Sequence, residues 1–312
     1  MARKFPVKGL APALCLAAIV LTGCGAQRDA APAPSATTAA VASTPTARPA
    51  AAPLASATPG YPSSMAVLGH SNATGEDSDP AQPHVAIRAN SWATGTNPAV
   101  NSIYLRILTK NPAIKDHNYN LAQPGANVDD LLIQAQQAVT LKPKPGLFLV
   151  QIMDDDIVCP ATHDDYAAFR SKLITALGVL ARGAPHSRIF VVSQWGSPAT
   201  YWKALGPAQR QQFVAGDQGG GGAGPCAFID PRGRLVPTEA ARLDTIIHGY
   251  EAQLAAGCQR IPRCSYDRGA FGRQVDKNEY ISEDLNHFSV QGAAAAAAVA
   301  WAVMKQRGVI PR

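Results

Sequence analysis

The sequence has no cluster of basic residues. Its 312 residues carry a formal net charge of +6, yet Arg3, Lys4 and Lys8 sit in an N-terminal segment without acids. Leaving those three aside, 25 basic residues face 22 acidic ones, a net of +3. Charges spread in this way offer no electrostatic footprint for nucleic acid or an anionic surface, and no nucleic-acid partner is expected. The glycine-rich stretch Gly216 to Gly224 lacks the Lys-Ser/Thr pair with which a phosphate loop holds phosphate and metal, so it reads as a surface loop. No CxxC pair supports a zinc site. No cofactor and no metal is expected.

Large apolar groups are also nearly missing from residues 24–62, which are mostly Ala, Pro, Thr and Ser. Such a segment buries too little surface to offset its ordering entropy, and it reads as a semi-extended tether. Before it, residues 1–23 combine the positive Arg3, Lys4 and Lys8 with an apolar run from Leu10 to Leu21, the pattern of a secretory signal. The end of that run, Leu21-Thr22-Gly23-Cys24, resembles a bacterial lipobox, which implies lipidation at Cys24. The expectation is an exported chain, lipid-anchored at Cys24 on the outer face of the bacterial cell membrane, with a domain over 63–312 that is a monomer.

Six cysteines become four once Cys15 and Cys24 are set aside. In an oxidising compartment these pair. Four cysteines allow three connectivities; Cys258–Cys264, which closes a short loop, with Cys159–Cys226 is the favoured set.

Along the domain, apolar runs alternate with amphipathic stretches. Strands are expected at Ser64–Leu68, Asn118–Ala122, Gly146–Met153 and Arg188–Ser193. Helices are expected at Pro98–Leu108, Val128–Leu141, Tyr166–Leu180, Thr238–Ala255 and Val290–Lys305, the last with Ser289 as N-cap. Continuous apolar strands between helices indicate a parallel sheet covered on both faces, a three-layer α/β/α sandwich. Chemistry in such sheets sits at the carboxyl ends of the strands.

Two stretches carry nearly the same motif. LGHSNATG runs from Leu68 to Gly75 and ANSWATG from Ala89 to Gly95. Ser71 follows a short buried strand with a glycine to turn it, the setting of an exposed nucleophile. Ser91 follows a run containing Arg88 and lacks that setting. Ser91, Trp92 and Thr94 are expected to line the cleft wall or pack the next helix, and Asn90 to contact substrate. Near the C-terminus, in EDLNHFSVQG, Asp284 precedes His287 by three residues. At that spacing a carboxylate reaches Nδ1–H of the imidazole and leaves Nε2 free to take a serine proton. Trp195 and Gly196, after the fourth strand, face the same rim, and Trp195 and Trp202 are equally well read as packing residues.

Taken in order, LGHSNATG, NLAQPGAN, QIMDDDIVCP and DLNH resemble the conserved blocks of the SGNH (GDSL-type) hydrolase family over about Ser64 to Lys305. The resemblance implies a flavodoxin-like fold and an esterase or lipase-like acyl or acetyl hydrolase working through an acyl-enzyme. It implies Ser71 as nucleophile, His287 as general base and Asp284 as its orienter. The Ser71 and Gly125 backbone N–H groups and a side chain at Asp155 would form the oxyanion hole. Two positions depart from the family's pattern. His70 stands where Asp is usual and reads as a hydrogen-bonded turn residue, with contact to substrate as the other reading. Asp155 stands where the family has a donor Asn, and an ionised carboxylate only accepts. A protonated Asp155 would restore the donor. The Asp154-Asp155-Asp156 run reads less well as a calcium site, and Asp156 reads as support for the turn. Asp155 also opens two alternatives: a cell-envelope binding protein on a degenerate hydrolase scaffold, and, since an acyl-enzyme can pass its group to an alcohol, an acyltransferase. A small rim with few apolar lids favours a small ester or acylated glycan as substrate.

Overall fold

A computed structural model describes residues 60–215 and 225–312. The signal 1–23, Cys24, nearly all of the tether 24–62 and the loop 216–224 lie outside the described residues. Five strands, β1 (Met65–Gly69), β2 (Asn118–Asn120), β3 (Leu147–Gln151), β4 (Arg188–Val191) and β5 (Cys264–Tyr266), form one sheet in the order β2-β1-β3-β4-β5. All four pairings are parallel. This is the flavodoxin-like order of a doubly wound sheet.

Strand residues are buried on both faces. Met65, Val67, Leu149 and Phe190 point to one core, with Ile103 and Ile107 of α1 (Ile103–Leu108) and Ala293, Ala296 and Ala300 of α7 (Val290–Gln306). Ala66, Leu68, Phe148, Val150 and Ile189 point to the other, against α2 (Val128–Ala138), α3 (His163–Gly183) and α6 (Pro237–Gln259). Each fully buried Leu, Val, Ile or Phe contributes roughly 1.5–3 kcal/mol, so the two-sided burial holds the sheet while its carboxyl edge stays open for loops. Among the described residues no helix is long and apolar enough to cross a membrane.

The helix starts follow side-chain caps. Asn127 and Asp130 form a capping box on α2, Thr162 and Asp165 another on α3, and Ser289 caps α7 through Gly292 N–H at 3.1 Å. The first helix is shorter than expected: Asn101 adopts φ +46° and Ser102 caps a start at Ile103 rather than Pro98. Three elements are additional to those expected. β5 is a three-residue, half-buried edge strand, too short for a hydrophobic pattern. Two short helices, α4 (Pro198–Ala204) and α5 (Pro207–Ala215), follow β4; each opens on proline, and Ser197 caps α4. The disulfides are Cys159–Cys226 and Cys258–Cys264, the favoured pairing, so none of these thiols is left for zinc.

Candidate active site

The strand order reverses between β1 and β3, and the loops that leave their carboxyl ends carry two of the sequence-identified blocks. Gly69 ends β1 with φ +133° and lies so close to Gln151 O that any Cβ would collide with it. Gln134 of α2 clamps this glycine, accepting its N–H at 2.7 Å and donating to its carbonyl at 3.0 Å. His70 then caps a 3₁₀ turn, Ser71–Ala73, through Nδ1, which accepts Asn72 N–H at 3.4 Å. Burial drives the His70 pKa down to about 4, against the opposing pull of the Asp155 charge. A neutral, buried, capping imidazole fits the turn-residue reading. Ser71 opens the turn and is buried, 8% exposed, rather than the exposed serine expected; its hydroxyl and N–H make no hydrogen bond among the described residues.

His287 sits on the loop before α7, its side chain 9% exposed. Its Nδ1 lies 2.6 Å from Asp284 Oδ2, the contact expected from the three-residue spacing. Asp284 Oδ1 accepts Asn286 N–H at 3.0 Å, His287 N–H at 3.1 Å and the Ser282 hydroxyl. Burial alone would raise the Asp284 pKa; the bonds from His287, Ser282 and Asn286 outweigh it and hold the carboxyl well below the usual range. Burial likewise disfavours a charged His287, but the Asp284 bond and charge, with Glu76 and Asp77, raise its pKa above the ordinary imidazole value.

Glu76 and Asp77 are site residues that the motif reading did not single out. Glu76 Oε2 lies 3.7 Å from His287 Nε2, and Asp77 Oδ2 lies 3.7 Å from Nδ1. Glu76 Oε2 is buried and has no hydrogen-bond partner among the described residues. The available signal was an acid pair directly after the first serine motif. No hydrogen bond joins Ser71 to His287 among the described residues; Glu76 is the charged group at Nε2. Ligand atoms of Asp77, Asp284 and His287 lie within 4.8 Å of one another. A cation there would need the Nδ1 lone pair, whereas the 2.6 Å contact to a carboxylate assigns Nδ1 its proton.

The third block follows β3 as a 3₁₀ turn, Asp154–Asp156. Two of its carboxyls are committed to different partners. Asp154 Oδ1 accepts Gln194 Nε2–H at 2.9 Å, and Asp156 Oδ1 accepts Val128 N–H at 3.0 Å, the turn support expected of it. Burial pushes Asp156 up to about 7. Asp155 is also raised, by burial and Asp154, against the pull of His70. Met153, which precedes the turn, has φ +134°, a conformation that costs a side-chain-bearing residue about 1–3 kcal/mol. Gly125 turns at φ +69° with open space where a Cβ would lie, and its N–H is unspent among the described residues.

The second serine motif is not at the cleft. Ser91 is fully buried and donates to Ala73 O at 2.7 Å; Trp92 is fully buried and donates to Gln151 Oε1 at 2.7 Å. Asn90 is no substrate contact: its amide donates to Ser78 Oγ and its carbonyl accepts from Asn97. Trp195 and Gly196 do line the cleft, while Trp202 is a packing residue. The expectation of few apolar lids does not hold. The segment after β4 brings Tyr201, Phe213 and Phe228 to a cleft that also holds Asn72, Asp154 and His287.

Fold and site together define an α/β protein with an unbonded serine hydroxyl and a carboxylate-oriented histidine at the carboxyl edge of its sheet. No protein-family model and no curated protein matches the chain. Among solved structures it is similar to a salicylyl-acyltransferase from a tetracycline biosynthetic pathway (12% identity, TM-score 0.45), covering 79% of this chain and 55% of that one. It is similar to a carbohydrate esterase family 2 enzyme of Corynascus thermopiles (14%, TM-score 0.47, 82% and 69% covered). It is also similar to phospholipase A1 from Streptomyces albidoflavus (12%, TM-score 0.46, 78% and 98% covered). This chain spans just over half the length of the acyltransferase. Likeness at this level carries no argument about activity.

Proposed function

We propose that the protein is a serine ester hydrolase of the SGNH type. The observation that carries this reading is the 2.6 Å Asp284–His287 contact on the same edge as a 3₁₀ turn whose first residue, Ser71, keeps its hydroxyl free. In this reading His287 Nε2 takes the Ser71 proton as Oγ attacks the ester carbonyl carbon. Asp284 stabilises the imidazolium and holds the tautomer. The negative oxygen of the tetrahedral intermediate is received by the Ser71 and Gly125 N–H groups, each such donor being worth about 2.7–4 kcal/mol. Collapse breaks the bond to the alcohol, which leaves with the proton from His287. Water, deprotonated by the same imidazole, then cleaves the acyl-enzyme. Asp155 takes part as a donor only in its protonated form, which its raised pKa favours. Glu76 leaves Nε2 as Ser71 engages it, since catalytic hydrogen bonds in a ligand-free site tighten on substrate binding.

Export and a lipid anchor at Cys24 belong to the same proposal, supported by the N-terminal sequence alone. A second reading, a cell-envelope binding protein on this scaffold, is favoured by one observation: acids stand at two places where the chemistry asks for a donor or a free base, Asp155 and Glu76. Treating residues 61–312 with a fluorophosphonate decides between them. The hydrolase reading expects one modified peptide, at Ser71, lost in His287→Ala. A folded protein that takes no label at Ser71 sinks it and leaves the binding reading.

A further inference from the structure

Six aromatic rings line the cleft beside His287. Trp195, Tyr280 and Phe288 come from the loops after β4 and before α7; Tyr201, Phe213 and Phe228 come from the segment between β4 and α6. Trp195 meets Phe288 edge-on at 5.4 Å and Tyr280 at 6.3 Å, and Tyr201 packs against Phe213 at 5.8 Å. The Tyr201 hydroxyl donates to Leu285 O at 2.5 Å, tying the aromatic segment to the loop that carries His287. The cleft, which opens to solvent, holds about 180 Å³. An apolar cavity of about 150 Å³ holds one benzene molecule, so there is room here for one ring. Its walls also fit a ring by shape, since aromatic groups pair edge-to-face at these separations.

We propose that this cleft is a substrate subsite for a single aromatic ring, and that the preferred esters carry such a ring on the acyl or on the alcohol side. The inference rests on the hydrolase reading for the word substrate, but not for binding. The polar groups at the cleft are held by the protein: Gln194 donates to Asp154 Oδ1 at 2.9 Å, and the Thr200 hydroxyl donates to Asp276 at 2.8 Å. The expectation of a small ester thus becomes one of an ester with a compact, flat group. Burying one ring favours such esters by on the order of ten- to a hundredfold in kcat/KM over an ester without it.

The test measures hydrolysis by residues 61–312 of ethyl acetate, ethyl phenylacetate, benzyl acetate, ethyl octanoate and an O-acetylated methyl pyranoside. Each rate is divided by the alkaline rate of the same ester. Simple ethyl and benzyl esters keep the ring of a nitrophenyl leaving group out of the comparison. Ethyl phenylacetate or benzyl acetate should exceed ethyl acetate by about tenfold or more, and which one does so assigns the ring to the acyl or the alcohol side. Ile247→Phe, which fills the cleft from α6, should bring that ratio back toward one. In parallel, ligand-observed NMR follows benzyl alcohol, which should bind the native chain and fail to bind Ile247→Phe. Binding without any turnover or Ser71 labelling keeps the subsite and removes the hydrolase reading. Turnover without a ring preference, or with octanoate or the pyranoside preferred, overturns the subsite and keeps the hydrolase. Absence of both benzyl alcohol binding and ring preference overturns the subsite whatever Ser71 does.

Discussion

Ser71 follows a five-residue strand that is buried end to end, and Ser91 follows the 3₁₀ turn Arg88–Asn90. Both are followed by x-Ala-Thr-Gly. Beyond Ser71 stands Asn72, which lines the cleft; beyond Ser91 stands Trp92, sealed in the core against Phe271. The Ser71 hydroxyl is unspent among the described residues, whereas Ser91 is committed to the carbonyl of Ala73, inside the first motif itself. The second copy is therefore a support built under the first. A local motif fixes the shape of a turn, but what precedes the turn decides whether its serine keeps a free hydroxyl or spends it on the core.

Exchanging the roles of the two copies gives the sharpest tests. On the proposed hydrolase mechanism, Ser71→Ala should lower turnover by on the order of 10⁴–10⁶ with the fold intact, because His287 and Asp284 would act only through the nucleophile. Ser91→Ala should leave fluorophosphonate labelling at Ser71 in place and cost about 1–3 kcal/mol in denaturant unfolding, by removing a buried donor. Equal losses of activity from both would erase the distinction. Trp92→Ala should cost about 3–5 kcal/mol, whereas Asn72→Ala, at the cleft, should leave the unfolding midpoint nearly unchanged and alter KM. Restoring an amide donor with Asp155→Asn should raise kcat by on the order of tenfold or more if the carboxylate weakens the oxyanion site. An unchanged kcat would place Asp155 outside that site.

The smallest effect is one of pH. Gly75 is followed by Glu76 and Gly95 by Thr96, so only the first copy sets an acid beside His287. The imidazole serves as base when neutral, and its pKa stands above the ordinary value. Activity should therefore rise with pH through a midpoint above the usual imidazole range. Glu76→Gln removes one of the charges that hold the proton on, so the acidic limb of kcat/KM should move to lower pH. An unmoved limb would mean that Glu76 does not face the working form of His287.

Much of this arrangement is legible in the sequence. Continuous apolar strands at Met65–Leu68 and Leu147–Val150 announced a sheet buried on both faces, and the Asp284–His287 spacing announced their contact. Both are local statements, governed by strand period and loop reach. The approach of Glu76 and Asp77 to His287 was not readable, because it joins segments more than two hundred residues apart. The aromatic wall was missed for another reason. Phe213 is the one buried residue of α5, and Phe228 lies in the irregular segment before α6, so no periodic pattern marked them.

The two ends of the domain meet at one pole. Arg188, where β4 begins, donates to Gly60 O at 2.8 Å and to Val309 O at 2.6 Å, and the Tyr61 hydroxyl reaches Pro311 O at 3.3 Å. Strands start at this pole and end at the pole that carries Ser71 and His287. Anything fastened through the residues before Gly60, or appended after Arg312, therefore pulls from the side opposite the cleft.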